Sequence, residues 1–142
     1  MRLILIPTAL ATAGLIASTA IAQQSPQKRF TIALTGEAEV AAGDPDGSGT
    51  AFIRINSRAG TLCYTLRVRG IEPATAAHIH EAPEGVAGPV VLELDAPTNG
   101  SSSGCERIGR DAALEILAAP EDYYVNVHND PYPGGALRGQ MG

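Results

Sequence analysis

Short runs in which apolar and polar residues alternate constrain the fold of this 142-residue chain more than any other feature. Successive side chains of a β-strand point to opposite faces, so each run predicts a strand with one buried face. Turn-forming residues at 44–49 and 97–100 separate the runs. The clearest runs are residues 30–34, 51–56 and 62–69. This pattern predicts an all-β sandwich or barrel.

One stretch departs from the strand pattern. Residues 112–118 are rich in alanine and leucine, Asp111 is a suitable N-terminal cap, and Pro120 follows. These features predict one short helix in a crossover between two strands.

The amino-terminal segment indicates the compartment. A basic start at Arg2 precedes an apolar run that ends in Ala20-Ile21-Ala22, a signal-peptidase pattern. We expect residues 1–22 to be a signal peptide, residues 23–29 a linker, and residues 30–142 a single domain that is periplasmic or secreted. An uncleaved membrane anchor is the alternative.

The charge balance excludes some partners. The chain carries a net charge of −5, and loss of Arg2 with the signal peptide leaves −6. The sequence contains no basic stripe, which argues against nucleic acid or an anionic membrane surface as partner of the mature domain.

Cys63 and Cys105 are the only two cysteines. In an oxidising compartment such a pair is expected to form a disulfide, and two unpaired thiols are the alternative. Neither cysteine belongs to a Cys-x-x-Cys motif, so a redox-active dithiol or a zinc ribbon has little support.

The three histidines of the chain, His78, His80 and His128, are its candidate metal ligands. Residues two apart in a strand share a face, so His78 and His80 present two imidazoles side by side. A second strand carrying His128 can complete a set of three. Imidazole suits copper and zinc, and we expect copper, with zinc as a possibility. The fourth ligand is left open among Glu81, Asp130 and water.

The phase of the alternation predicts which way these side chains point. Asn126 has the same phase as His128, which makes it a candidate for supporting the ligands. The histidines and Asn126 are therefore expected on the face opposite the core. The apolar residues that alternate with them are Ala77, Ile79, Val125 and Val127.

Four segments, residues 77–82, 85–91, 124–129 and 133–140, together resemble the CHRD (chordin) domain. The resemblance covers nearly all of the chain after about residue 30. It implies an extracytoplasmic, immunoglobulin-like Greek-key β-sandwich.

A weaker resemblance, in the order of elements, is to copper/zinc superoxide dismutase. There a His-x-His strand and a later Val-x-His strand supply copper ligands, which implies that role for His78, His80 and His128. Arg138 is similar to the arginine that guides the anion in that family. The chain lacks a fourth histidine to bridge a second metal, and it lacks a histidine-rich zinc loop.

Three functions are compatible with these features. The first, which we favour, is an exported domain that binds, sequesters or delivers copper and is not an enzyme. The second is a superoxide-dismutase-like redox enzyme with an abbreviated site. The third is a metal-free module for protein binding or adhesion, and a homodimer or another protein partner is possible.

Overall fold

The computed structural model describes residues 27–142 of the chain. This part contains eight β-strands, one α-helix and a short 3₁₀ turn. The strands are β1 (Gln27–Thr35), β2 (Ser48–Asn56), β3 (Thr61–Arg69), β4 (Ala74–Glu81), β5 (Val90–Leu94), β6 (Ser101–Arg107), β7 (Tyr123–Asn129) and β8 (Leu137–Gln140). Helix α1 (Arg110–Ala118) and the 3₁₀ turn (Pro120–Asp122) connect β6 to β7.

The strands form one antiparallel sheet in the order β5-β4-β7-β8-β1-β2-β3-β6. The sheet curls into a nearly closed barrel. Residues of β5, β6 and α1 line one cavity of about 300 Å³, so the crossover helix lies where the two edge strands approach each other. The all-β, immunoglobulin-like prediction is confirmed, as is a single short crossover helix.

The alternating runs build the core as predicted. Alternate residues are buried over 30–34 in β1, 51–55 in β2 and 62–66 in β3, and the residues between them face outward. This regular burial removes a continuous apolar surface from water, the main stabilising contribution to such a fold. The inward residues include Leu34, Ile53, Ile55, Leu62, Leu66, Ile79, Val125 and Val127.

The linker was expected to extend to Arg29, but β1 already begins at Gln27. The first three residues of β1 are polar and exposed, so hydrophobic alternation does not reveal them. Their backbone nevertheless pairs with β2, from Gln27 opposite Asn56. The Lys28 ammonium also lies 4.8 Å from the centre of the Phe30 ring.

Helix α1 begins differently from the prediction. Gly109, not Asp111, is its N-cap, and no side chain caps it. Gly109 has a φ of 86°, a conformation that glycine adopts without strain. Its amide donates to the Gly60 carbonyl at 3.0 Å, and Asp111 lies in the first turn, where a carboxylate favours the helix dipole.

Cys63 and Cys105 form the expected disulfide. They lie directly opposite each other on β3 and β6, with 3.9 Å between their Cα atoms. Within residues 27–142 there is no helix long and apolar enough to cross a bilayer. The expected signal peptide lies outside the described residues.

Candidate metal centre

Strands β4 and β7 bring the three histidines together on the outside of the barrel. His78 and His80 alternate with Ala77 and Ile79, which are buried in the core. The two strands pair directly, with His78 opposite Asn126. His128 lies two residues further along β7, so the shared strand face carries all three imidazoles.

The outer face of these strands is covered, which hydrophobic alternation alone does not predict. His80 is 8% exposed and Asn126 is 3% exposed, although both point away from the core. The connection between β4 and β5, which we call the strap (residues 82–89), lies against His80 through Gly88. A Cβ at Gly88 would come within 2.0 Å of the Glu81 carbonyl oxygen, so only glycine fits there.

The candidate ligand atoms are close to one another. One ring nitrogen from each of His78, His80 and His128 can be chosen so that all three lie within 4.8 Å of one another. His78 Nδ1 and His128 Nε2 lie 3.1 Å apart. Ligands about 2.0 Å from a common tetrahedral ion lie roughly 3.3 Å apart, so modest adjustments of the side chains would fit one ion.

Two backbone carbonyls determine which nitrogens can bind a cation. His80 Nδ1 donates to the Gly88 oxygen at 2.9 Å, and His128 Nδ1 donates to the Pro133 oxygen at 2.9 Å. When both rings are neutral, as metal ligands must be, each carries only one proton, so Nε2 of each ring keeps its lone pair. Carbonyl partners of this kind fix the tautomer and orientation of metal-binding histidines.

Asn126 stands between these lone pairs. Its Oδ1 is 3.1 Å from His80 Nε2 and 3.0 Å from His128 Nε2. Three atoms that each offer a lone pair thus face one another, which a cation among them would stabilise. Without a cation, the amide turned by 180° or a proton on His78 Nδ1 can donate to these rings. With Oδ1 turned towards the rings, the three histidines and Asn126 can hold a metal ion.

Burial favours the metal-binding form of two histidines. Desolvation lowers the pKa of His78 and of His128 below the ordinary value of 6.5, and the neighbouring His80 lowers both further. Hydrogen bonds oppose this effect, from Asn126 at His78 and from Pro133 at His128. Both imidazoles are consequently neutral, as metal ligands must be, at neutral pH.

Behind His80 lies a stack of three planar groups. The ring of Tyr124 is parallel to that of His80, at an angle of 4° with centroids 4.7 Å apart. The guanidinium carbon of Arg138 lies 3.4 Å from the Tyr124 centroid, a cation–π contact. Tyr124 has the same strand phase as Asn126 and His128, and that phase is the sequence signal that could have identified it.

Arg138 holds the strap against this stack. It is 2% exposed, and its guanidinium donates to the carbonyls of Val86 at 2.9 Å and Pro83 at 3.2 Å. A guanidinium that guides anions from solvent must be exposed, whereas this one is enclosed by backbone oxygens. It therefore contacts the histidines through the strap and the Tyr124 ring.

Of the acidic residues considered as a fourth ligand, Glu81 points the other way. It lines the cavity at the β5, β6 and α1 junction, with core residues such as Ile79. Among the described residues the metal-compatible group around this point consists of the three histidines, and Asp130 does not belong to it. Asn126 is the additional oxygen donor placed beside them.

Comparison with known proteins agrees with this architecture. The model of the CHRD domain family matches residues 30–141. No curated protein and no solved structure matches the chain. The match extends over every strand that positions the histidines, β4 and β7 included, and the chain belongs to the CHRD domain family.

Proposed function

We propose that this CHRD domain is an exported metal-binding protein that holds one copper ion, or zinc in its place, through His78, His80 and His128. The observation that carries the proposal is the pair of carbonyls, of Gly88 and Pro133, that direct two Nε2 lone pairs to one point. An ordinary polar surface would not need two backbone carbonyls that orient imidazoles in this way. Asn126 Oδ1 would lie beside the ion as a further oxygen donor.

The donor set supports Cu(II) over Cu(I). Copper(I) carriers use clusters of soft thioether or thiolate ligands. After loss of the signal peptide the chain retains only Met141, which is 4% exposed and packs in the core, and its cysteines are joined in a disulfide. Imidazole nitrogens are the ligands that remain, and they suit Cu(II) and Zn(II).

Binding, sequestration or delivery suits the centre better than dismutation of an anion. Arg138, the residue that would attract the anion, is enclosed by the strap. The chain also supplies no fourth histidine for a bridged second metal. The residues around the ion would thus hold it firmly, but they would not present an exposed positive charge that attracts an anion.

Calorimetric titration with Cu(II) and Zn(II) tests the proposal. His78 is the best residue to replace, because its contacts are with the other site residues while His80 also secures the strap. In His78→Ala we expect affinity to fall by more than about 100-fold, since loss of a residue that only orients a ligand already costs about 10- to 100-fold. Binding should also weaken near pH 5, where protons compete for the imidazoles.

Val127→Ala is the matched control. Val127 lies beside His128 on β7 but points into the core. Its truncation should lower the free energy of unfolding by about 2 kcal/mol and leave metal affinity nearly unchanged. Equal affinity of wild type and His78→Ala, or no binding tighter than millimolar, would contradict the proposal.

A further inference from the structure

The other half of the barrel has an outer face that is rich in arginine. The outward residues of β1, β2, β3 and β6 lie in register across four paired strands. Arg29 is directly opposite Arg54, and Arg67 and Arg69 follow one another on the same face of β3. We call this surface the arginine face. Its exposed basic residues are Arg29, Arg54, Arg67, Arg69 and Arg107.

No carboxylate neutralises this face from within the four strands. Their one acidic residue, Glu106, pairs with the inward-pointing Leu62 and so has the opposite phase. The chain as a whole carries 15 acidic against 10 basic residues. Charge is therefore segregated, and a protein that is acidic overall presents one positive surface.

The arginine face also contains a groove with an aromatic floor. A cavity of about 530 Å³ lies above the middle of the four strands. Phe52 is 40% exposed in it, an uncommon position for a large apolar ring. The guanidinium of Arg67 lies 5.8 Å from the ring centroid. Thr31, Thr65 and Ser103 stand in the same cross-strand row as Phe52.

We propose that the arginine face binds an acidic polysaccharide. Guanidinium groups pair with carboxylates or sulfates in a fixed, two-pronged geometry. The exposed ring of Phe52 offers a platform for the apolar C–H face of a sugar, and the neighbouring hydroxyls can bond to sugar hydroxyls. The Cys63–Cys105 disulfide lies on this same face, which places the surface in an oxidising compartment.

A nucleic acid fits the arginine face less well. Proteins that bind single strands stack successive bases on several aromatic rings. Phe52 is the sole aromatic residue among the outward positions of β1, β2, β3 and β6. Apart from Phe52 and the arginines, threonine and serine occupy most of these outward positions, which favours a ligand rich in hydroxyl groups.

This surface is separate from the metal centre. The histidines lie on β4 and β7, whereas the arginine face belongs to β1, β2, β3 and β6. Polysaccharide binding is a separate proposal from metal binding, so a result that contradicts one does not contradict the other.

Affinity measurements with sodium polygalacturonate test the proposal on the oxidised mature protein. The double variant Arg54→Gln, Arg67→Gln removes a charge on either side of Phe52. The control double variant Arg58→Gln, Arg110→Gln removes two exposed arginines outside the face and gives the same net charge. We expect about tenfold weaker binding in the first and less than twofold change in the control.

Phe52→Ala provides an independent variant, expected to weaken polygalacturonate binding several-fold at unchanged charge. Wild-type binding should weaken as salt rises and be absent with neutral dextran. Equal losses in the two arginine variants, no binding to polygalacturonate, or tighter binding to an oligodeoxythymidylate of matched charge would overturn the proposal.

Discussion

At the scale of single residues, the centre depends on groups that are not ligands. The carbonyls of Gly88 and Pro133 each accept a hydrogen bond from one imidazole Nδ1 and so leave the other nitrogen directed towards Asn126. Backbone geometry thus determines which imidazole nitrogens can coordinate an ion before the ion binds. Such preorganisation lowers the cost of ordering ligands on binding.

Glu39 is a second unusual residue and leads to a pH prediction. Its Oε1 is buried against Gly135 and has no hydrogen-bond partner among the described residues. Burial raises the pKa of this carboxyl from 4.5 to about 7, although Arg138 opposes the shift. Between these values the folded protein holds a proton that the unfolded chain has released. The resulting stability is complete below pH 4.5 and is lost as pH rises through about 7.

Glu39→Gln should remove that dependence, because an amide resembles the protonated carboxyl and does not titrate. Chemical denaturation of both proteins at about pH 5 and pH 8 measures the effect. We expect the free energy of unfolding of the wild type to fall more than that of the variant over this interval. The histidines contribute equally to both proteins and cancel in the comparison. Parallel pH profiles would show that Glu39 ionises normally.

At the scale of elements, the strap (residues 82–89) is what turns an outer strand face into an enclosed site. Arg138 of β8 donates to two of its carbonyls, and Gln140 donates to a third, that of Ala82, at 2.8 Å. Tyr124 of β7 accepts from the Gly88 amide at 3.2 Å. Two strands therefore hold one loop over the histidines.

Arg138→Lys should loosen the strap while keeping the positive charge. A lysine ammonium cannot reproduce the planar fork that reaches the carbonyls of Val86 and Pro83 together. We expect faster hydrogen exchange at the Gly88 amide and metal affinity lower by about 10-fold. Arg110→Gln, on the distant helix α1, is the control. Unchanged exchange at Gly88 would mean that Arg138 does not restrain the strap.

Some elements could be predicted from the sequence and others could not, for physical reasons. Periodicity of two identified β1, β2 and β3, because each has one apolar face. It could not identify β6, where serine and glycine at 101–104 offer no apolar face. The face of β4 on which the histidines lie could be predicted from Ala77 and Ile79. That the strap folds back over this face could not, because Arg138 and Gln140 of β8 hold it there. The arginine face was hidden because its residues are separated along the chain and meet only through strand register.

At the scale of the whole molecule, the disulfide joins β6 to the body of the barrel. Its two cysteines are 42 residues apart, so the bond closes a long loop that includes β4 and β5. In the chain-entropy model such a bond stabilises the fold by roughly 3–4 kcal/mol. The double variant Cys63→Ala, Cys105→Ala should lose about that much free energy of unfolding in denaturant titrations. A loss below about 1 kcal/mol would mean that the disulfide contributes little and that core packing accounts for the stability of the barrel.

Both proposed sites depend on the same barrel, which presents the metal centre on β4 and β7 and the arginine face on β1, β2, β3 and β6. The central claim concerns the first of these. X-ray absorption at the zinc edge of the Zn(II)-loaded protein tests it most directly, because scattering by imidazole rings counts the histidine ligands. We predict three imidazole nitrogens at about 2.0 Å in the wild type and two in His78→Ala. A zinc ion surrounded only by oxygen, or an unchanged imidazole count in the variant, would contradict the account.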